Sequence, residues 1–279
     1  MDYDAPGPPL CNAIHVTSEM MRNEAKPLVT VAVPSRNHGR FLDEALSSIH
    51  AQGVPVEVML ADGGSTDETP QVIERWRGRL AWWKSAPDTG QAAAINDAIA
   101  RGTAPYVCWL NADDTFLPAG LAAMVKALET HAAAPMVYAR CWTTDASGRR
   151  LMPYVTYPFT AWLLANRNLI AQPATLIRRA AWTRAGGLDE SLRLALDYDL
   201  WWRLYKTGGA PLYLKQFVAT TRAHLDTKTA GQRKAHVLEA MGVIRRHYGR
   251  VPWKWYLAWP YSVWLRGAYH ALHRKNAPH

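Results

Sequence analysis

Acidic and amide side chains follow an apolar segment near the middle of the chain. The run at residues 106–110 leads into Asn111, Asp113 and Asp114 within the sequence WLNADD. Oxygen ligands placed where a strand ends suit a hard divalent cation such as Mg²⁺ or Mn²⁺. Such a cation can bridge a diphosphate and neutralise a leaving nucleoside diphosphate. The alternative is a pair of aspartates that caps the following helix.

A second carboxylate, Asp62, ends another apolar run in the segment LADGGSTDET. Asp62 can accept hydrogen bonds from a nucleotide base or a ribose. The neighbouring Gly63 and Gly64 allow the backbone to approach a ligand closely. An ordinary strand-to-helix turn, with Asp67 near the start of the helix, is the alternative.

Further polar side chains surround a predicted helix start in residues 85–99, SAPDTGQAAAINDAI. The free N–H groups at a helix N-terminus suit anionic or sugar-hydroxyl ligands. A capped surface helix is the alternative. The polar positions of this segment are Asp88, Gly90, Gln91 and Asn96.

One further carboxylate has a type and position that suit a general base. The segment LDYDLWWRL predicts a helix over residues 197–206. Positions 197 and 199 project about 200° apart on a helix, so only one of the two carboxylates can face a substrate. We assign that role to Asp197, with helix capping as its alternative. We expect Asp199 to pair with Arg203, four residues further on.

Five apolar runs alternate with helical patterns, and these elements would position the polar clusters. Repeated strand–helix units predict a mainly parallel sheet with helices on both faces. Ligands of such sheets bind outside the carboxyl ends of the strands, which is where the polar clusters fall. The chain lacks G-x-G-x-x-G and G-x-x-x-x-G-K-[ST] motifs, which disfavours dinucleotide dehydrogenases and P-loop enzymes. The predicted strands are 29–33, 54–60, 80–83, 106–110 and 136–142.

Length and composition narrow the class of protein further. The 279 residues are 49% hydrophobic and 20% charged, which is enough for one large domain with an ordinary core. Three cysteines are too few for a disulfide framework or a cysteine-based zinc site. Residues 1–27 suggest a loosely ordered leader, and we expect neither a secretory signal nor a membrane-spanning segment.

The net charge of +9 resides in the C-terminal region. Residues 228–279 hold ten Lys and Arg and one acid, Glu239. Because tryptophan and tyrosine interleave with these cations, we predict that residues 245–279 attach the protein peripherally to an anionic membrane, at the cytoplasmic inner face of the cell membrane. Packing of this tail on the rest of the protein is the alternative. Nucleic-acid binding would use a similar composition, but we expect no nucleic-acid partner.

Seven motifs occur in one order between about residues 28 and 226. Together they give the chain a resemblance to family 2 glycosyltransferases. The resemblance implies a GT-A fold, which is an α/β, Rossmann-like, mainly parallel sheet flanked by helices. It also implies a nucleotide-sugar donor, with Mn²⁺ or Mg²⁺ as cofactor. The motifs are VAVPSRN, LADGGSTDET, SAPDTGQAAAIN, WLNADD, QPATLIRR, GGLDESL and LDYDLWWRL.

On the donor side, the resemblance implies roles for individual residues. Asp62 matches the aspartate that recognises uracil or the equivalent base. Asn111 and Asp113 match the metal-binding D-x-D motif, in which Asn at the first position weakens cation affinity on charge grounds. His224 resembles a histidine that completes the metal site. The residues implied to contact the nucleotide sugar are Pro34, Ser35, Asn37, Asp62, Gly64, Ser65, Asp88, Gly90, Gln91, Asn96 and Asp113.

On the acceptor side, Asp197 matches the aspartate that serves as the catalytic base, although Leu196 stands where an acid usually precedes it. Gln172 and Trp201 would border the acceptor. The implied reaction is an inverting transfer of a sugar, with UDP as the expected carrier, to a hydroxyl acceptor that is a saccharide or a lipid-linked molecule. The expected setting is the assembly of a surface polysaccharide or glycolipid.

Three regions are therefore expected, namely the leader 1–27, a GT-A domain 28–227 and a basic, aromatic helical region 228–279. Two other functions stay open. A nucleotidyltransferase would also use a metal site at the sheet edge, but it predicts a glycine-rich loop where residues 35–40 hold one glycine. A non-catalytic nucleotide- or sugar-binding module is compatible with Asn111 and Leu196 at positions that are usually acidic.

Overall fold

The computed structural model describes residues 26–223 and 232–260, with side chains as far as residue 257. Most of the expected leader, His224 and the tail beyond residue 260 lie outside the described residues. The strands are β1 (Val29–Ser35), β2 (Val56–Asp62), β3 (Trp82–Ser85), β4 (Tyr106–Trp109), β5 (Thr115–Phe116), β6 (Met136–Thr144), β7 (Arg150–Pro153), β8 (Thr175–Arg178) and β9 (Leu212–Arg222).

Nine α-helices lie in the described part of the chain, and most of them cover the faces of the sheet. They are α1 (Gly39–His50), α2 (Thr69–Trp76), α3 (Gln91–Arg101), α4 (Gly120–Thr130), α5 (Ala161–Asn166), α6 (Arg179–Ala185), α7 (Leu196–Gly208), α8 (Arg233–Tyr248) and α9 (Trp253–Pro260).

The first four strands run parallel, as the sequence predicts. Strand β1 pairs with β2 on one side and with β4 on the other, and β2 pairs with β3. All seven residues of β1 are buried, because a central parallel strand is covered on both faces and therefore has a nearly continuous apolar sequence. The chain first builds outward from β1 and then returns to place β4 on its other side. This reversal is a topological switch point beside the ends of β1 and β4.

The second half of the sheet is mixed. Strand β8 is antiparallel to β4 and β6, whereas β9 runs parallel to β6 and antiparallel to β5. The order along the sheet is β3-β2-β1-β4-β8-β6-β9-β5, with β7 paired to β6. The predicted α/β class is therefore confirmed, and antiparallel strands complete a sheet whose parallel half carries the predicted strand ends.

Two hydrophobic clusters lie on opposite faces of the sheet. Val31 and Val33 belong to one cluster and Ala32 to the other, as the alternation of side chains along a strand requires. Helices α1, α2 and α4 cover the first face, and α3, α6 and α7 cover the second. Helix α8 packs on this second face through Ala240 and Ile244. The basic C-terminal region thus contributes a helix to the core of the sheet.

Helix α2 begins one residue earlier than the order of its Thr and Pro residues predicts. Its sequence places Thr69 before Pro70, which is typical of an N-cap followed by a first helical proline. The helix instead begins at Thr69, and the Asp67 carboxylate accepts the Thr69 N–H at 3.0 Å. The other carboxylate oxygen of Asp67 accepts the N–H of Gly39 at 2.9 Å, so Asp67 orders the starts of both α1 and α2.

None of the helices in the described ranges is both long enough and apolar enough to cross a bilayer. The described end of the chain is α9, whose Trp255 Nε1 donates to the Ala165 carbonyl at 2.9 Å and so fixes α9 against α5.

Candidate active site

The loops that follow β1 and β2 are interlocked at the carboxyl edge of the sheet. Gly63 N–H donates to the Ser35 carbonyl at 2.9 Å, and Asn37 N–H donates to Ser65 Oγ at 2.7 Å. The Asn37 side chain in turn accepts the N–H of Thr66 at 2.9 Å. These bonds bring together four of the residues that were predicted to contact the nucleotide sugar. The four residues, which form one rim, are Ser35, Asn37, Gly64 and Ser65.

Asp62 lies at the centre of this rim and is 2% exposed. Its carboxylate accepts the Ser65 N–H at 3.0 Å, the Ser65 hydroxyl, and the Ser85 hydroxyl at 2.7 Å. These contacts hold the loops after β2 and β3 together. A nucleotide base bound here would therefore compete with hydroxyl groups that already occupy the Asp62 oxygens.

The loop after β3 lies directly against Gly63 and Gly64. A Cβ atom on Gly63 would stand 2.8 Å from Asp88 Oδ2, and Gly64 has a positive φ of 77° beside Pro87. Both positions therefore need glycine, the first for space and the second for backbone conformation. The exposed Asp88 thus joins this rim beside Gly63, the residue that follows Asp62.

Residues from three separate segments meet in an amide network at the end of β4. Gln91 Nε2 donates to Asn111 Oδ1 at 2.9 Å, and Asn111 Nδ2 donates to Gln172 Oε1 at 3.2 Å. Gln172 Nε2 completes the chain by donating to the Trp109 carbonyl at 2.7 Å. The sequence predictions placed Gln91 on the donor side, Asn111 in the metal motif and Gln172 on the acceptor side, and the three side chains are in direct contact.

A buried carboxylate, Asp114, stands behind this network. Burial raises its pKa to about 8, and the negative charge of Asp113 contributes to the shift. Asn111 Nδ2 at 3.2 Å and the N–H of Arg222 at 3.0 Å donate to it. The Arg222 guanidinium also donates to the Asp113 carbonyl at 2.9 Å and so ties β9 to the motif.

The donor set at Asp113 fits a cation that is shared with a substrate. The described residues contain no group of three or more His, Cys, Asp or Glu placed to hold a metal ion by themselves. The negative charge of Asp113 nevertheless adds to the effect of burial on the pKa of Asp114, and a cation at Asp113 would offset that charge. Mg²⁺ commonly takes one or two protein carboxylates and completes its shell with phosphates. His224, the third predicted ligand, lies outside the described residues.

Asp197 lies in the first turn of α7 and is half-buried. Burial raises the pKa of its carboxyl group, while attraction to His236 in α8 and a hydrogen bond from Asn168 at 3.5 Å act in the opposite direction. The Asp197 carboxylate also accepts the N–H of Tyr198 at 2.7 Å. A half-buried carboxylate with a raised pKa has the properties of a general base.

A short segment links Asp197 to the amide network. Asn168 contacts Asp197, and Gln172, four residues later, contacts Asn111. On the other side of β1, Asp62 pairs with Ser35, and the β1–β4 register places the end of β4 on the same edge. The predicted donor rim, metal motif and base therefore lie on one edge of the sheet.

The pairing predicted for Asp199 is confirmed. Asp199 is only 1% exposed. Its carboxylate accepts a hydrogen bond from Arg203 Nε at 2.6 Å and lies 2.7 Å from His247 Nε2. These charged and polar partners lower the pKa of Asp199. Of the two helix carboxylates, Asp199 is thus engaged inside the protein, and Asp197 is the one left beside the amide network.

Two predicted site residues have other surroundings. Trp201 is fully buried and stacks on Trp109 with ring centroids 5.8 Å apart, so its ring offers no face to an acceptor, and the acceptor assignment was wrong. Asn96 does not face the rim residues: its amide bonds Leu188 and Glu190, holding the loop before α7 against α3. The remaining donor residues, Pro34 and Gly90, lie at the end of β1 and just before α3.

Sequence reasoning missed three residues around this site, Arg222, His236 and Glu239. All three lie far along the chain from the residues that they contact. One signal was available for Glu239, because a single acid in an otherwise basic region of ten cations needs a local reason.

The sequence model described as Glycosyl transferase family 2 matches residues 30–190. Chondroitin synthase from Pasteurella multocida (strain Pm70) is 25% identical over 185 residues, which cover 65% of this chain. The chain spans only 19% of the length of that curated relative.

Solved structures share the fold at low sequence identity. The S. aureus TarS 1–349 complex with UDP-GlcNAc has a TM-score of 0.62 at 18% identity, covering 79% of this chain and 66% of that one. The mannosyltransferase PcManGT from Pyrobaculum calidifontis, in complex with GDP-Man and Mn²⁺, has a TM-score of 0.62 at 21% identity. That match covers 91% of this chain and 76% of the mannosyltransferase.

Proposed function

The chain belongs to glycosyl transferase family 2, and from that premise we propose that it transfers a sugar from a nucleotide-sugar donor to a hydroxyl acceptor with inversion. One observation carries the proposal: the segment 168–172 joins Asp197 at one end to Asn111 at the other. The proposed base and the proposed diphosphate-binding motif are therefore linked through five residues of chain, which supports an in-line displacement between them.

The proposed reaction needs one base and one leaving group on opposite faces of the sugar. Asp197 takes the proton of the acceptor hydroxyl while that oxygen forms a bond to C1 of the sugar. The bond from C1 to the nucleoside diphosphate breaks on the other face, so the anomeric configuration inverts. The raised pKa of Asp197 favours this step, because a more basic carboxylate takes up the proton more readily.

The donor is proposed to lie along the interlocked loops after β1, β2 and β3. The nucleotide would contact Ser35, Asn37 and Asp88. Asp62 would hold the loops in place and would also contact the nucleotide base. The TarS complex with UDP-GlcNAc favours UDP as the carrier, whereas the complex of PcManGT holds GDP-Man. We therefore test both nucleotides and propose UDP.

Asp113 would hold a divalent cation, with His224 as the proposed second ligand and the donor diphosphate completing the shell. When bound, the cation would supply positive charge to the departing diphosphate. Asn111 contributes no charge of its own, and its amide instead orients Gln91 and Gln172. The Mn²⁺ in the PcManGT complex supports Mn²⁺ as the first metal to test.

The acceptor is proposed to be a saccharide or lipid-linked molecule that approaches Gln172. The name of the matched relative, chondroitin synthase, favours a polysaccharide product.

We place the protein at an anionic membrane surface on the cytoplasmic side. Trp253, Tyr256 and Leu257 occupy one stripe of α9 and are mostly exposed, at 73%, 51% and 67%. The neighbouring helix α5 adds Trp162, which is 61% exposed. Arg250 and the remaining cations of the C-terminal region would bind anionic head groups beside these aromatic rings.

Donor binding and turnover test the proposal together. Thermal unfolding is followed with UDP-GlcNAc, UDP-glucose and GDP-mannose, each with and without Mn²⁺, and we expect Mn²⁺-dependent stabilisation by a UDP-sugar. Release of UDP then measures turnover. Asp197→Asn should lower kcat by about 10²- to 10⁴-fold while the donor still binds.

Asp97→Asn is the matched control, since Asp97 lies on α3 and pairs with Arg101 at 3.3 Å. Unchanged turnover in Asp197→Asn would refute the assigned base. Binding without turnover in the wild type would favour the non-catalytic module, which Asn111 and Leu196 still allow.

A further inference from the structure

Glu239, on helix α8, binds the backbone that leads into α7. Its Oε1 accepts the N–H of Arg193 at 2.8 Å. Its Oε2 accepts the N–H groups of Leu194 and Ala195 at 2.6 and 2.7 Å. Three consecutive amides therefore converge on one carboxylate that lies 44 to 46 residues away in sequence.

These three amides immediately precede the helix that carries Asp197. The N-cap residue of α7 is Ala195, whose side chain cannot accept a hydrogen bond. The first helical bond, from Asp199 N–H to the Ala195 carbonyl at 3.0 Å, starts there. Glu239 thus binds the three backbone N–H groups that come just before the helix, and its negative charge near the helix N-terminus is favourable.

Helix α8 also holds α7 on the other side of Asp197. His247, eight residues after Glu239, lies 2.7 Å from Asp199, about 12 Å further along the axis of α8. His236, one turn before Glu239, attracts the Asp197 carboxylate. Residues 193–195, before Asp197, and Asp199, after it, therefore both bind one helix from the basic C-terminal region.

We propose that Glu239 is a positioning residue for Asp197, an inference that rests on the proposed role of Asp197 as the base. A base must hold its oxygen within hydrogen-bonding reach of the acceptor hydroxyl. A shift of 1 Å at a reacting group can cost about 10²-fold in rate. Loss of the Glu239 contacts would free the turn at residues 193–195 and let the first turn of α7 move.

The test compares two glutamates that each accept hydrogen bonds from consecutive backbone N–H groups. Glu57, at the start of β2, accepts the N–H of Ala104 at 2.7 Å and also binds Thr103 and Thr30. Glu239→Gln and Glu57→Gln both keep the shape of the side chain and remove its charge. We expect both variants to unfold at lower temperature.

Only Glu239→Gln should impair the chemical step. With release of UDP from UDP-GlcNAc as the probe, we expect kcat to fall about 10- to 100-fold while the Kd for UDP stays within about twofold of the wild-type value. Glu239→Ala, which keeps no acceptor, should be slower than Glu239→Gln. Equal kcat in Glu239→Gln and Glu57→Gln, at equal folded fraction, would overturn the proposal.

Hydrogen exchange separates this inference from the proposed function. Amides 193–199 should exchange faster in Glu239→Gln and at the wild-type rate in Glu57→Gln. If the wild type releases no UDP from any donor, the proposed function fails, and the exchange experiment still decides the structural part. Unchanged exchange at 193–199 in Glu239→Gln would show that this carboxylate does not position the turn.

Discussion

His247 Nε2 lies 2.7 Å from Asp199 Oδ1, and this contact joins the C-terminal helix α8 to the first turn of α7. Asp199 also faces Arg203 on its own helix and, at 3.5 Å, Arg246 on α8. A second acidic residue near Asp199 is Asp189, whose carboxylate forms an ion pair with Arg246 at 3.2 Å. A nearly unexposed carboxylate is therefore surrounded by cationic and polar groups from two helices.

Removing this carboxylate should destabilise the fold strongly. Asp199→Asn leaves the Arg203 guanidinium without its buried partner, and loss of one member of a buried pair costs about 3 to 5 kcal/mol. Asp97→Asn removes the same type of i, i+4 pair at an exposed site and should cost about 0.3 to 0.5 kcal/mol. Urea unfolding measures both values, and equal losses would contradict the burial argument.

The same pair predicts how stability depends on pH. The folded pKa of Asp199 is lowered, so its contribution is fully present above the unfolded value and is lost as the pH falls through the folded value. The difference in unfolding free energy between wild type and Asp199→Asn should therefore shrink as the pH falls below about 4. A difference that grows on acidification would contradict this assignment.

The acid limb of the rate profile should report Asp197 and its neighbour His236. A general base must be ionised, so turnover falls as the pH drops through its pKa, which burial raises. Attraction to His236 lowers that pKa, and His236→Gln should therefore move the midpoint of the acid limb to higher pH. Tyr154 and Asn168 also face Asp197 and are unchanged in this variant.

His131→Gln is the control for this measurement, since His131 is exposed beyond α4 and bonds locally to Thr130. Its profile should match that of the wild type. A midpoint that stays in place or moves to lower pH in His236→Gln would remove His236 from the surroundings of the base.

Restoring an acid at position 111 should make the protein more dependent on metal. Asn111→Asp removes the donor to Asp114 and sets two carboxylates against each other, so the metal-free variant should lose about 1 to 3 kcal/mol. Mn²⁺ should then raise its Tm more than that of the wild type, because the cation gains a carboxylate ligand. Asn166→Asp, on α5, is the control, and an Mn²⁺ response no larger than the wild type's would count against a cation here.

The exposed stripe of α9 should govern binding to lipid vesicles. Trp253→Ser combined with Leu257→Ser should reduce flotation with vesicles of anionic phosphatidylglycerol several-fold, and high salt should weaken flotation of the wild type. Leu151→Ser with Met152→Ser removes comparable exposed apolar surface from β7 and should float normally. Equal flotation of both double variants and the wild type would rule out the α9 surface.

The strands and their polar ends could be predicted because both depend on local sequence. Buried parallel strands need apolar runs, and β1, β2 and β4 lie within two residues of their predicted bounds. The shared position of three residues at one edge of the sheet could be predicted as well, because the carboxyl ends of neighbouring parallel strands lie at the same edge. These residues are Asp62, Asn111 and Asp113. In the mixed second half, β6 was predicted at 136–142, whereas β5, β7, β8 and β9 were not, because long and irregular connections separate these strands.

Contacts between distant segments account for what the sequence did not reveal. The sequence around Asn96 shows no partner for its side chain, yet the Asn96 amide donates to the carbonyl of Leu188, some 90 residues later. Trp201 belongs to the stripe Tyr198, Trp201, Trp202 and Tyr205, whose helical spacing already favours burial. The Glu239 contacts could not be predicted, because nothing in the spacing of residues 193–195 identifies which carboxylate would bind their amides.

The placement of α8 has a practical consequence for shortened versions of the protein. A deletion beginning at Arg245, where the aromatic tail starts in sequence, would remove His247 and Tyr248 from the core together with any lipid-binding surface. Such a protein would lose support for α7, and a change in its vesicle binding would then reflect damage to the fold. A truncation after Gly249, the residue that terminates α8, is more informative, because it keeps the contacts with α7 and removes the contact of α9 with α5.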